Sequence, residues 1–355
     1  MKPTTEAELA QIIAGTNGPL SIRGGNTRGM AGPGTALDVS GITGIETYEP
    51  GALTMVVQAG TPVAEVEAAL AEEGQRLAFE PMDYRGLLGT SGAPTMGGVF
   101  AAGVSGPRRI AVGAARDFAL GVRFVDGAGR IVKNGGRVMK NVTGYDLVKL
   151  QCGARGSLGV LTEIALKVLP APEATASLRV PAADVPTAVD VLSRALGTPY
   201  EVTGAAWDGT DALIRIEGFD ASVAYRLAQL RGVLGGAPAE VDWDAIRDVT
   251  AFADAPGDVW RLSVKPSDAP DLVGRLPAGA RVLLDWGGGL IWVLCGVGTD
   301  LRAAIAPFAG HATRVRGAGP APQFHPPDAG VARLETGLRA KFDPNGIFTP
   351  RLAEV

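Results

Sequence analysis

Three glycine-rich segments hold the polar groups that can do chemistry in this sequence. The first, residues 23–29, reads Arg-Gly-Gly-Asn-Thr-Arg-Gly. Successive N–H groups in such a turn can point into one concavity and hold an anion. Gly24 and Gly25 would let the main chain approach closely, and Asn26, Thr27 and Arg28 add side-chain donors. A plain strand-to-strand loop uses the same residue types, so this segment alone leaves both readings open. The second segment, residues 88–106, is mostly Gly, Ala, Ser and Thr. Too small to build a side-chain core of its own, it can wrap a large flat ligand with Thr95, Ser105 and main-chain amides as donors. Its apolar members Ala93, Val99, Ala101 and Ala102 argue against a solvated loop. The third, residues 135–147, is followed by Gly153, Gly156 and Gly159 and mixes cationic, amide and aromatic groups. Its alternative is a loop with Tyr145 packed beneath it.

Several chemistries are absent from the sequence. There is no Gly-x4-Gly-Lys-Ser/Thr loop, His-Glu-x-x-His, Cys-x-x-Cys or Gly-x-Ser-x-Gly. No Gly-x-Gly-x-x-Gly opens a helix after a strand, which argues against a nicotinamide-binding unit. Two cysteines, Cys152 and Cys295, make neither a disulfide framework nor a zinc cluster, and no metal site is expected. The two histidines, His311 and His325, read as surface or loop residues rather than catalytic bases. Asn141-Val142-Thr143 matches a glycosylation sequon, read as incidental without an export signal. Lys plus Arg is 33 against 37 Asp plus Glu, a net charge of −4 that argues against nucleic acid as a partner. The uncharged stretch 286–299 is shorter than the ~20 residues that span a bilayer. A soluble cytoplasmic protein without a transmembrane segment is expected.

The elements that must position these segments follow from pattern and length. At 355 residues the chain is expected to form two domains. Its 50 glycines are about twice the usual ~7%, yet 46% of residues are hydrophobic, enough for an ordinary core. Thr5 with Glu8 predicts a capped helix carrying Leu9, Ile12 and Ile13. Strands are expected over 20–23, 36–39 and 53–58, then a helix capped by Thr61 that buries Val63, Val66 and Leu70 and ends at Gly74. A hairpin over 120–125 and 130–133 and a strand over 163–169 follow. Pro170-Ala171-Pro172 marks the expected boundary. Beyond it, strand, helix, two strands and helix occur twice (176–233 and 259–308), a duplicated split unit. Residues 314–324 read as a loop. The tail closes on a helix with Leu334, Leu338 and Phe342 along one stripe, then an Asp-Pro-Asn-Gly turn.

Taken together, these residues resemble a known family. The 23–27 loop, Pro94-Thr95-Met96-Gly97-Gly98, Ala101, Ser105-Gly106, Gly113 and Asp117 are similar to the FAD domain of the vanillyl-alcohol oxidase superfamily. Residues 137–147, Trp260-Arg261-Leu262-Ser263-Val264, Asp285-Trp286-Gly287-Gly288-Gly289 and 341–348 are similar, more narrowly, to the E-type FAD-binding subunits of bacterial glycolate oxidases. The resemblance covers most of the chain and is weakest across 171–255.

The resemblance implies an α+β protein. A PCMH-type FAD-binding domain of two subdomains would span 1–170. An α/β ferredoxin-like, duplicated cap that forms the substrate side would span 171–330. A tail, 331–355, would pack back on the FAD domain. FAD would be held non-covalently by Gly24, Gly25, Asn26, Thr27, Arg28, Thr95, Gly97, Gly98, Ala101, Ser105, Gly106, Gly159 and Val160. Asn26-Thr27 stand where histidine-linked relatives attach the flavin, and Cys152 does not match the cysteine-linked position. The implied partners are a homologous flavin subunit and an iron–sulfur subunit, with a small 2-hydroxy acid as substrate. Electrons would pass to the membrane quinone pool, with peripheral attachment at the inner membrane through the complex. Self-sufficient relatives carry a His-x-His pair and an Asp-Gly-Asn segment in the cap, and this chain has neither. Arg261 as a carboxylate binder and Lys140 over the flavin are the candidate catalytic residues, while Trp260, Trp286 and Trp292 read as packing. An accessory electron-relay subunit, or a sugar or aldonolactone oxidase on the same scaffold, remains open from the sequence.

Overall fold

The computed structural model describes residues 1–29, 32–138 and 144–348. The chain divides into two compact units. One comprises Met1–Ser105, Gly113–Ala171 and Pro326–Val355; the other comprises Gly106–Val112 and Pro172–His325.

The first unit opens with a helix over Glu6–Ala14. Thr5 caps it by accepting from the Glu8 N–H, and the Glu8 carboxylate accepts from the Thr4 N–H at 2.8 Å, one residue short of a reciprocal capping box. Its Leu9 and Ile13 are fully buried with Leu20, Leu37, Val125 and Val160. Strands β1 (Leu20–Arg23) and β2 (Thr35–Asp38) pair in parallel. Strands β3 (Ile45–Glu49), β4 (Thr54–Gln58), β6 (Ala119–Val125), β7 (Ile131–Gly135) and β8 (Val160–Lys167) form an antiparallel sheet in the order β3-β4-β8-β6-β7. A small pair, β5 (Gln75–Arg76) with β9 (Leu169–Pro170), lies apart from it. Central β8 is buried on both faces rather than on one, since helix Met96–Ala102 contacts it.

Three expectations change here. Helix Val63–Glu72 buries Val63, Val66 and Leu70, but Thr61 does not cap it; its hydroxyl exchanges hydrogen bonds with the main chain of Gly44 at 2.9 and 3.1 Å. Residues 96–102, expected to lack a core of their own, form a helix capped by Thr95, with Met96, Val99 and Phe100 fully buried. The closing helix, Ala329–Phe342, has no buried residue, and Leu334 is 69% exposed, so the Leu334–Leu338–Phe342 stripe is not a core stripe. The tail is fixed just beyond it. The Asp343 carboxylate accepts from the N–H groups of Ile347 and Phe348, whose side chains join the core of the opening helix.

The second unit is built on one sheet. Its strands are β10 (Ala174–Pro181), β11 (Val202–Trp207), β12 (Asp211–Gly218), β13 (Ala237–Ala239), β14 (Asp258–Ser263), β15 (Arg281–Asp285), β16 (Leu290–Cys295) and β17 (His311–Arg316). Their order is β13-β10-β12-β11-β15-β16-β14-β17. Each half has the 4-1-3-2 order of a ferredoxin-like split unit, and the halves meet edge to edge, Trp207 opposite Leu284. The duplication read from element order is therefore present in the topology. Each half closes with an outer strand, and β17 replaces the start of the expected 314–324 loop. Helices Val185–Leu196 and Asp220–Leu234 cover the first half, and Ala269–Gly274 and Leu301–Ile305 the second. Segment Gly106–Val112 joins this unit through Arg108, whose buried guanidinium pairs with Glu217; Arg215 lies 3.5 Å from the same carboxylate.

Candidate functional site

In the first unit the end of β1, the turn after it, the capped helix Met96–Ala102 and the entry to β8 converge on one cavity. It is lined by Arg23, Gly24, Gly25, Asn26, Thr27, Arg28, Thr95, Gly97, Gly98, Ala101, Gly159 and Val160, among others. Ser105 and Gly106 do not line it. The Ser105 hydroxyl accepts from the Ala115 N–H, and the Gly106 carbonyl belongs to the second unit, where it accepts from the Trp286 indole. The sequence pattern did not single out Arg155, and it marked Gly156 only for its spacing; both line the cavity. The spacing of Gly153, Gly156 and Gly159 carried part of that signal.

The turn at residues 24–28 fits closely against the chain before the helix. A Cβ on Gly25 would lie 1.6 Å from the Ala93 carbonyl oxygen, so only glycine closes this contact. Asn26 adopts a left-handed φ of +52°, which asparagine tolerates. The main-chain N–H groups of Gly25 to Arg28 donate no hydrogen bond to another described residue. Thr95 spends its hydroxyl oxygen on the Gly98 N–H at 3.3 Å.

Arg28 supplies the site's strongest electrostatic signal. Its Nε is buried without a hydrogen-bond partner, and Cζ lies 5.8 Å from the Tyr84 ring centroid. Its Nη1 would be 2.7 Å from a Cβ on Gly98, so the guanidinium lies over the start of the helix. Burial pushes the guanidinium below its ordinary value, opposed by the nearby Tyr84 and Asp83. Among the described residues the lining includes Arg23, Arg28 and Arg155 and no Asp, Glu, His or Cys. Such a lining takes an anion, and its glycines admit a large one close to the main chain.

The other candidates fall elsewhere. Lys140 lies outside the described residues. Arg261 is on β14 in the second unit, its guanidinium 5.1 Å from the Trp286 ring centroid. Trp260, Trp286 and Trp292 are buried. The two histidines lie against each other, ring centroids 5.7 Å apart, and His325 Nδ1 accepts from the Ala312 N–H at 3.3 Å. Burial, then Arg302 and His311, push the His325 imidazole down from its ordinary value. No group of three or more His, Cys, Asp or Glu among the described residues could hold a metal ion. No helix among them is long and apolar enough to cross a membrane.

Cys152 lies in a separate groove with Leu150, Ser157, Leu158 and Leu338. Burial pushes its thiol up to about 12, so at pH 8 thiolate falls roughly four orders of magnitude below thiol. Iodoacetamide at pH 8 is expected to leave Cys152 unlabelled in the folded protein and to label it in denaturant, read by peptide mass spectrometry. Because the thiol's folded value exceeds its unfolded one, its contribution to stability is complete below about pH 9 and declines as pH rises toward 12.

Comparisons with known proteins identify the family. Residues 1–135 match the FAD binding domain family. Over 340 residues the chain is 39% identical to the glycolate oxidase subunit GlcE of Escherichia coli (strain K12), covering 94% of this chain and 91% of that protein. It is 33% identical over 126 residues to the glycolate oxidase subunit GlcD of Bacillus subtilis (strain 168), covering 36% of this chain and 25% of that one. An alkyldihydroxyacetonephosphate synthase structure shares the fold, with a TM-score of 0.71 at 16% identity, covering 99% of this chain and 76% of that one. The α+β architecture with a PCMH-type FAD-binding domain is thus the observed one, and the cofactor is FAD. The chain belongs to the family of FAD-linked oxidoreductases that includes the glycolate oxidase subunit GlcE.

Proposed function

We propose that this chain is the FAD-holding subunit of a glycolate oxidase, working on a small 2-hydroxy acid and oxidising glycolate to glyoxylate. A homologous flavin subunit and an iron–sulfur subunit complete the complex and carry the electrons onward, and any membrane contact runs through them. The observation that carries this reading is the cavity of glycine main chain with Arg23, Arg28 and Arg155 and, among the described residues, no acidic one. A dinucleotide's pyrophosphate is the anion that suits it.

When bound, FAD supplies a two-electron acceptor for the hydride that leaves the hydroxyl-bearing carbon. The chain's own residues do the holding. The N–H groups of Gly25 to Arg28 and the Arg28 guanidinium bind phosphate oxygens, and Thr95 fixes the start of the helix that carries Gly97 and Gly98. Gly159 and Val160 offer main chain at the head of β8. The described lining offers no His or Cys for a flavin bond, which supports a non-covalently held cofactor. In this reading residues 1–170 are the cofactor domain, 171–330 the substrate side and 331–355 the returning tail. Segment Gly106–Val112 belongs with the substrate side.

A second reading draws on the histidines. His311 and His325 pack on each other and His325 Nδ1 is occupied by a main-chain N–H. Neither lines the cavity. A relay subunit that holds flavin while another subunit takes the substrate proton fits that placement.

The test is an anaerobic absorption spectrum of the FAD-loaded chain before and after glycolate. Bleaching supports direct oxidation, an unchanged oxidised spectrum supports the relay, and failure to take up FAD overturns both. Arg28→Met is expected to weaken FAD roughly 10–100-fold, as for a lost hydrogen bond to a charged group. Riboflavin, which carries no phosphate, should bind both proteins alike by fluorescence titration.

A further inference from the structure

Helix Asp220–Leu234 of the second unit turns Val223, Arg226, Leu230 and Leu234 inward, against β10 and β12. Its other side faces solvent. At about 100° per residue, Ala221, Tyr225, Ala228 and Gly232 fall within about 60° of one another, with Ala224 and Gln229 at the margins. All are exposed except half-buried Gln229, and Tyr225 is 62% exposed. A solvent-facing helix side ordinarily carries charge. This one carries none over about three turns. A Cβ on Gly232 would meet nothing within 4 Å. The exposed charges of the helix, Asp220 and Arg231, share one flank of the stripe, about 20° apart in projection. Neither side chain makes an ion pair among the described residues.

The stripe is complementary to itself. Set two such helices antiparallel about a two-fold axis that passes between residues 226 and 227. Ala221 then stands opposite the second copy's Gly232, and Tyr225 opposite its Ala228. The large ring meets a small residue each time, and the small residues let the helix axes approach to about 8 Å, the close end of the usual range. The same axis brings Arg231 of each copy to the Asp220 of the other. Both lie on the same flank, only about 3 Å along the axis from direct opposition. A parallel pair would put like charges at the same height and Tyr225 against Tyr225.

We propose that this helix face is a two-fold dimerisation surface whose occupant is the same helix of a second copy of the chain. A two-fold contact uses one patch twice, so every favourable pair in it occurs twice. One helix a side buries less than the ~1,200 Å² of a standard interface, so the dimer forms and dissociates with concentration.

Sedimentation velocity on the full-length, FAD-loaded protein, from low micromolar to submillimolar concentration, should show monomer passing to dimer. Gly232→Glu should raise the dimer dissociation constant at least about tenfold, since the added charge enters the contact twice. Its melting temperature should hold or rise, because glutamate is the better helix former. Tyr225→Ala should weaken the dimer in the same direction. Cross-linking reads the register. Under mild oxidation, Ala221→Cys protein mixed with Gly232→Cys protein should give a disulfide-linked dimer. Either variant alone should not, because its own positions stand about 16 Å apart along the axis. Wild type, with Cys152 and Cys295, is the blank. A wild-type chain that stays monomeric throughout overturns the proposal, as it would if the face takes a different subunit instead. So does a dimer that folded Gly232→Glu leaves intact, or cross-linking as strong within one variant as across the mixture. Absorbance at the flavin band on the same samples reads cofactor content, so loss of the FAD reading and loss of this one are told apart.

Discussion

Gly25→Ala should yield protein that purifies without flavin. The added methyl would lie 1.6 Å from the Ala93 carbonyl oxygen and 2.6 Å from its carbon, both main-chain atoms with no rotamer to turn away. The turn at residues 24–28 must therefore lift off the segment before Thr95, and the cavity lining separates. We expect FAD affinity to fall at least about 100-fold, close to 3 kcal/mol. Equilibrium titration of apoprotein followed by flavin fluorescence measures it. Gly18→Ala is the control, since a Cβ there meets nothing within 4 Å. Retention of stoichiometric FAD by folded Gly25→Ala would remove the turn from the cofactor site.

The second large effect is on stability. Arg108 and Glu217 form a buried ion pair, and Arg108→Met leaves that carboxylate to Arg215, whose Nε is 3.5 Å away. Removing one partner of a buried pair costs about 3–5 kcal/mol, because the other charge stays desolvated. The loss should be read as a lower denaturant midpoint for the second unit. Arg108→Met with Glu217→Leu together should not recover it, since the buried Arg215 guanidinium then loses the carboxylate 3.5 Å from its Nε. The Arg123–Glu6 pair is more exposed, and Arg123→Met should cost about 1 kcal/mol or less by the same measurement. Equal losses for Arg108→Met and Arg123→Met would contradict the burial argument.

The second unit was the more legible in sequence. Its strands are rich in aliphatic residues, its helices are capped by Asp184 and Asp300, and the order of elements repeats, so the duplicated split fold followed from pattern. Where the pattern misled, local sequence was outvoted by tertiary contact. Residues 96–102 hold two glycines, poor helix formers, yet form a helix because Thr95 caps them and Met96, Val99 and Phe100 find a core. Thr61 matched a cap signal, but its hydroxyl was claimed by Gly44, 17 residues away. β3 was missed because Ile45, Thr47 and Tyr48 are only half-buried, giving a weak apolar signal. Of the cofactor residues named from the sequence, most line one cavity, because close main-chain approach leaves glycine as its mark. Arg155 left no mark, since one arginine in a loop looks like any other. The placement of Gly106–Val112 was out of reach for a different reason: no periodicity records that seven residues leave one unit and enter the other.

That excursion has a genetic consequence. The chain crosses between units near residue 105, again near 112, then near 171 and near 325, so a single splice cannot exchange one unit for a relative's. A recombinant cut only at Ala171/Pro172 would inherit a substrate-side unit without its own Gly106–Val112 plug. Glu217 would then keep Arg215 but lose its own Arg108. A working exchange must therefore carry segment and sheet together, at several cuts rather than one.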